Sequence, residues 1–129
     1  MARPGRRRGR LSRSGDFDRV FREGRSHGNR YLVLYAFPRS DASADEPLRL
    51  GVSVGRKVGG AVERNRVKRI LREVFWSISD RLPDGHDFVL VARPEIGALV
   101  ERTGSAGVRE ALEQAAADSG LAHGDSGEG

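Results

Sequence analysis

The chain has 129 residues, 37% of them hydrophobic and 32% charged, with 23 Lys and Arg against 18 Asp and Glu, a formal charge of +5 and a pI near 10.6. This length suits one domain of the usual ~100–150 residues with extended ends. The absence of Cys excludes disulfides, thiolate metal sites and Cys nucleophiles, and neither a secretory signal nor a run of ~18 apolar residues is present, so a soluble, cytoplasmic protein without a membrane partner is expected.

Charge is placed locally. Residues 1–15 hold six Arg and no acid, and residues 56–72 hold seven basic residues against Glu63 alone. The rest of the chain is therefore net negative, and the cations are concentrated where a polyanion would be met. Of the 23 basic residues 21 are Arg, the side chain whose planar fork matches phosphate and stacks on bases.

In chain order, residues 1–13 are mostly Arg, Gly, Ser and Pro and are expected to form a disordered basic arm with Leu11 as its one anchor. Ser14 is the expected N-cap of a short helix ending at Gly24, with Phe17, Val20 and Phe21 on its apolar side. Helical spacing alone assigns both Phe rings to a core. Residues 31–37, YLVLYAF, alternate as a strand that is apolar on both faces. An aromatic face of that kind, left open, is a stacking platform for unpaired bases. The acidic loop 38–47 is expected to close a hairpin onto the next strand, RLGVSVG, which sets Leu50, Val52 and Val54 against Arg49, Gly51 and Ser53.

Next comes the most informative stretch, RKVGGAVERNRVKRILRE at 56–73. From 61 or 62 onward Val67, Ile70, Leu71, Val74, Phe75 and Ile78 recur at helical spacing and form a buried face. Arg64, Lys68 and Arg72 run along one border of that stripe, Asn65 and Arg69 near the middle of the polar side, and Arg66 toward the other border. Charged residues opposite an apolar stripe are usually a solvated surface. Here only Glu63 and Glu73 are available to pair with the cations, so the face reads instead as an electrostatic footprint for nucleic acid. After the break at Pro83 and Gly85, FVLVAR is expected to be an internal strand, because it is apolar on both faces. A last helix is expected in two pieces, 95–100 and 108–117, with Val108, Leu112 and Ala115 toward the sheet, followed by a disordered acidic tail at 118–129.

Enzymatic chemistry has little support. His27, His86 and His123 have no metal-ligand spacing, no Ser has an evident base and orienter, and no catalytic or metal-binding residue is assigned. The GRKVGG turn lacks the GxxxxGK[ST] order of a nucleotide loop and reads as a turn whose backbone approaches phosphate at a helix start.

KVGGAVERNRVKRILRE resembles the signature of the bacterial ribonuclease P protein subunit, with Arg64, Asn65 and Arg66 matching its RNR core. LSRSGDFDRVFREGRS resembles the first helix of that family, YLVLY its first long strand, LGVSVGRKVGGAV the following strand and loop, and DFVLVARP a later strand, so the likeness covers about residues 11–94. Gly60 departs from it, because the family often has Asn there.

The resemblance implies a small α+β domain at 14–117, a mixed sheet of about four strands packed by helices, similar to domain 2 of ribosomal protein S5. It also implies a left-handed β-α-β crossover, against the usual right-handed rule. In the family the RNA subunit hydrolyses precursor tRNA with metal assistance and removes the 5′ leader. By implication Lys57, Arg64, Asn65, Arg66, Lys68, Arg69 and Arg72 lie against the catalytic RNA, while Phe17, Phe21 and Tyr35 hold the single-stranded leader, which reverses the core assignment of the two Phe rings. Mg2+ is expected through the RNA subunit, acids such as Asp16 are open to contribute although no feature of the sequence marks them, and the protein partner is left open. The competing readings are a generic RNA-binding or ribosome-associated protein, a DNA-binding regulator using residues 61–78, and a protein-only nuclease. The second lacks the preceding helix that a helix-turn-helix requires.

Overall fold

The computed structural model describes residues 8–11, 13–39 and 48–121. Strand β1 (Arg8–Arg10) leads into helix α1 (Ser14–Glu23), then β2 (Arg25–Gly28), β3 (Leu32–Pro38) and β4 (Leu48–Ser53). A 3-10 turn (Arg56–Val58) precedes α2 (Ala61–Ile78), and a second one (Ser79–Arg81) leads to β5 (His86–Ala92), α3 (Ile96–Thr103) and α4 (Ser105–Ser119). The fold is α+β, a single domain with a mixed five-stranded sheet and four helices among the described residues.

The strand order is β1-β4-β5-β3-β2. β5 pairs antiparallel with β3 and parallel with β4. It takes the central place because Phe88, Val89 and Leu90 are fully buried, so both of its faces need cover. This corrects the expected hairpin: β3 and β4 are not neighbours, and β5 fills the slot between them. α2 connects the parallel neighbours β4 and β5, the unit to which the resemblance attaches its left-handed crossover.

The sheet also has one more strand than the four expected. β2 pairs antiparallel with β3, and Asn29 shapes the turn between them. Its side-chain oxygen accepts from the backbone N–H of Tyr31 and Leu32 at 3.0 and 3.2 Å, and its amide donates to the Ala111 carbonyl of α4 at 3.0 Å. β1 pairs parallel with β4, Arg10 opposite Leu50, although the sequence places residues 8–10 in a disordered arm. The difference has a cause next door: Leu11 is buried and its N–H donates to the Leu50 carbonyl at 3.0 Å, holding the preceding residues against the edge of β4. Residues 1–7, most of the acidic loop 38–47, and His123 with most of the acidic tail lie outside the described residues. α4 runs two residues past the expected end at 117 and stops at Gly120, whose φ of 78° favours glycine. At α1, Ser14 is the first helical residue and Arg13 stands at the cap without a side-chain hydrogen bond.

The sheet has two unlike faces. On one, Leu32, Leu34, Leu48, Leu50, Phe88 and Leu90 pack against the apolar stripe of α2 and against α3 and α4, where Val108, Leu112 and Ala115 are buried as expected from their spacing. On the other, a smaller cluster forms around Leu11, Val20 and Val89, with Phe17, Tyr35, Phe37 and Val91 packed on it and α1 as cover.

Candidate RNA interface and aromatic cleft

α2 carries the cationic surface. Its buried residues are Val67, Ile70, Leu71, Val74, Phe75 and Ile78, the six that the periodicity indicates. Asn65, Arg66 and Arg69 are exposed, and Arg64, Lys68 and Arg72 are half-buried along the border of the apolar stripe. Lys57 is exposed on the 3-10 turn just before the helix. Among the described residues none of these seven side chains is in an ion pair; Arg64 Nε is only near the Gly60 carbonyl, at 3.4 Å. Glu63 does not neutralise them, because its side chain lies over Gly59 and Gly60: a Cβ on Gly60 would meet its carboxylate at 3.1 Å. Val62, 79% exposed, projects an apolar side chain beside the same cations.

The other sheet face is built in cross-strand rows. Register aligns Arg49, Asp87 and Phe37 in one row, Gly51, Val89, Tyr35 and Ser26 in the next, and Ser53, Val91, Val33 and Gly28 in the third. α1 reaches the first two: Asp16 sits 3.8 Å from Arg49, Phe17 lies over Gly51, and Phe21 meets Tyr35. In the third row Ser53, Val91 and Val33 are only partly buried and Gly28 is exposed.

The structure thus brings Phe17, Phe21 and Tyr35 together. Phe21 stands edge-on to Tyr35 with ring centroids 4.9 Å apart at 76°, and Phe17 is tilted toward Phe21 at 6.2 Å and 50°. Phe21 is 40% exposed, which removes it from any core, while Phe17 and Tyr35 are half-buried. Spacing alone does not separate these roles, since Val20, between the two rings in sequence, is fully buried.

Gly51 is a residue that pattern reading passes over. A Cβ there would lie 2.5 Å from Phe17 Cζ and 2.8 Å from Cε1, so the ring rests on bare backbone. The alternation of β4 marks Gly51 as the small residue facing away from Leu50 and Val52, but only the fold shows what occupies the space.

Beneath the start of α1, Arg49 spans Asp16 and the buried Asp87, and Arg39 reaches Asp87 at 3.3 Å. This network bears on magnesium. Asp16 faces a guanidinium, and among the described residues no three His, Asp or Glu side chains come together as a metal would require. Among the described residues the acids therefore do not assemble a donor set for the ion. Among the described residues no helix is long and apolar enough to cross a membrane.

The family model described as Ribonuclease P matches residues 6–116. The chain is 40% identical over 94 residues to the ribonuclease P protein component of Bacillus pumilus, covering 73% of this chain and 76% of that one. It is 42% identical over 94 residues to the component from Bacillus velezensis, covering 73% and 78%. The RNase P protein of Thermotoga maritima superposes with a TM-score of 0.70 at 35% identity, over 81% of this chain and 92% of that one. The Staphylococcus aureus RNase P protein gives 0.74 at 27% identity, over 88% and 97%. A sheet with one face packed on a cationic helix and the other on an aromatic cleft is thus seen in a chain that belongs to the bacterial ribonuclease P protein family, the protein subunit of a ribonucleoprotein endoribonuclease of tRNA processing.

Proposed function

We propose that the chain divides its RNA contacts between the two sides of its sheet: α2 docks on the catalytic RNA, and the cleft of Phe17, Phe21 and Tyr35 holds the 5′ leader of precursor tRNA. The observation that carries the leader site is the exposed Phe21 ring set edge-on against Tyr35 over a partly open sheet face. Aromatic rings stack on unpaired bases of any kind, which suits leaders of varied sequence. The observation that supports docking is the set of seven residues on one helix and its entry turn with no acid taken up among them. Lys57, Arg64, Arg66, Lys68, Arg69 and Arg72 neutralise phosphates and release counterions, and Asn65 hydrogen-bonds backbone or base edges.

In this reading the protein breaks no bond. It binds two RNAs and orients one on the other, while hydrolysis and its magnesium belong to the RNA subunit, and the work is done in the cytoplasm. The test is reconstitution with catalytic RNA at low magnesium. The full chain restores 5′ maturation, and replacing Phe17, Phe21 and Tyr35 together by Ala weakens binding of precursor tRNA while sparing mature tRNA. Equal loss for both tRNAs counts against the leader cleft, and cleavage by RNase-treated protein alone overturns the division of labour.

A further inference from the structure

The cationic row of α2 does not end in solvent. Arg64, Lys68 and Arg72 recur every four residues, and the next position in that row is Trp76. Beside it lies a cavity of about 270 Å3 lined by Gly9, Arg10, Leu50, Arg72 and Trp76. Arg10 arrives from the opposite wall, because the parallel register of β1 and β4 sets it against Leu50. The cavity is thus framed by two guanidiniums and an indole over an aliphatic floor, with no acid among the described residues of its lining.

We propose that this cavity takes one unpaired nucleotide of the catalytic RNA, its base stacked on Trp76 and its phosphates flanked by Arg10 and Arg72. The proposal rests on the docking of α2 described above and extends that surface to the edge of the sheet. Size supports it, since the volume falls just below the ~300–1,000 Å3 of pockets that enclose drug-sized ligands. A cavity of that volume has room for one unpaired base and not for a helical stem. Chemistry supports it too: guanidinium planes and indole are the groups on which bases stack, and the same guanidiniums pair with phosphate. The ring is firmly seated. Trp76 meets Phe75 edge-on at 5.0 Å, and Phe75 is fully buried against Phe88 at 5.3 Å. A base would therefore meet an aromatic surface already held in place.

Trp76 is the single tryptophan of the chain, so its emission reports on this cavity alone. Titrating the full chain with catalytic RNA should quench that emission as the complex saturates, whereas a leader-length oligonucleotide should leave it unchanged. Trp76→Leu should weaken affinity for the catalytic RNA about tenfold, the scale of one stacked base. Its salt dependence should stay the same, because no charge is removed, and Trp76→Phe should recover most of the loss. Arg72→Gln should instead lower the log–log salt slope by roughly 0.7–0.9. Thermal unfolding of each variant separates lost contact from lost fold, and Trp76→Phe keeps the test open if Trp76→Leu folds poorly. Unmoved emission at saturation, or wild-type affinity in both Trp76 variants, overturns the pocket. Quenching by the leader oligonucleotide overturns the choice of occupant. A chain with Arg64, Arg66 and Lys68 changed to Gln identifies the other failure: if it binds as wild type, the docking surface itself is wrong.

Discussion

Arg49 and Asp87 stand opposite one another in the parallel pair β4–β5, and the Arg49 Nε and Nη2 atoms donate to the two carboxylate oxygens at 2.8 and 2.6 Å. Asp87 is 1% exposed and also takes Arg39 at 3.3 Å, while Arg49 reaches on to Asp16 of α1. The pair therefore ties the first turn of the cleft helix to the middle of the sheet. Removing one partner of a buried pair strands the others, so Asp87→Ala should lower unfolding free energy by about 3 kcal/mol, read as a lower denaturant midpoint.

The three aromatic rings should separate under single substitution. Phe21 is the most exposed, so Phe21→Ala should reduce affinity for precursor over mature tRNA with a smaller stability loss than Phe17→Ala, about 0.5–1.5 kcal/mol for its ring contacts. Phe17 packs on the cluster around Leu11, Val20 and Val89, so Phe17→Ala should lose both leader affinity and stability. Competition binding and thermal unfolding on the same preparations check this; equal stability costs would contradict the placement of the two rings.

Gly51→Ala tests how the cleft floor is made. Its Cβ would come within 2.5 Å of Phe17 Cζ, and the ring must shift, at about 1–3 kcal/mol of stability. Discrimination between precursor and mature tRNA should fall, while affinity for catalytic RNA stays within about twofold of wild type. Adding Phe17→Leu should return stability without returning discrimination.

Gly60 stands at the N-cap of α2, where no side chain caps the first turn, and its φ of −75° and ψ of −174° are open to any residue. Gly60→Asn would supply a side-chain acceptor there, for a gain of a few tenths of a kcal/mol. A rise in Tm of roughly 1–3 °C is expected, with Glu63 yielding slightly because its carboxylate lies 3.1 Å from the new Cβ. An unchanged or lower Tm would show that Glu63 obstructs the cap.

The elements most readable in the sequence were those whose pattern has one physical solution. An apolar stripe with period 3.6 beneath a cationic face fixes α2 from Ala61 to Ile78, and a strand apolar on both faces has to be internal, as β5 and β3 are. The strands without a pattern of their own, β1 and β2, are short and polar. RSHG in β2 offers no alternation of apolar residues, although Gly28-Asn29 just ahead of YLVLY is a usable turn signal. RGR in β1 reads as an arm because its fixation comes from Leu11 and from β4, whose paired residues lie 40 positions on. The hairpin expected between β3 and β4 failed because adjacency in sequence says nothing of a strand that arrives later and is more thoroughly apolar. The cleft residues were named by resemblance, since helical spacing treats Val20 and Phe21 alike while their exposures are 0% and 40%. Arg49 and Asp87 lie 38 residues apart, and nothing local announces that they meet.

Leu50 and Gly51 are consecutive, yet one floors the Trp76 cavity and the other floors the aromatic cleft. A single strand is thus the party wall of two rooms that open in opposite directions. A residue inserted or deleted within β4 would exchange its two linings at a stroke, placing an isobutyl group under Phe17 and an empty position under Trp76. Evolution of either site is bound to the other through that strand, and changes that tune the aromatic cleft independently should be confined to α1 and β3.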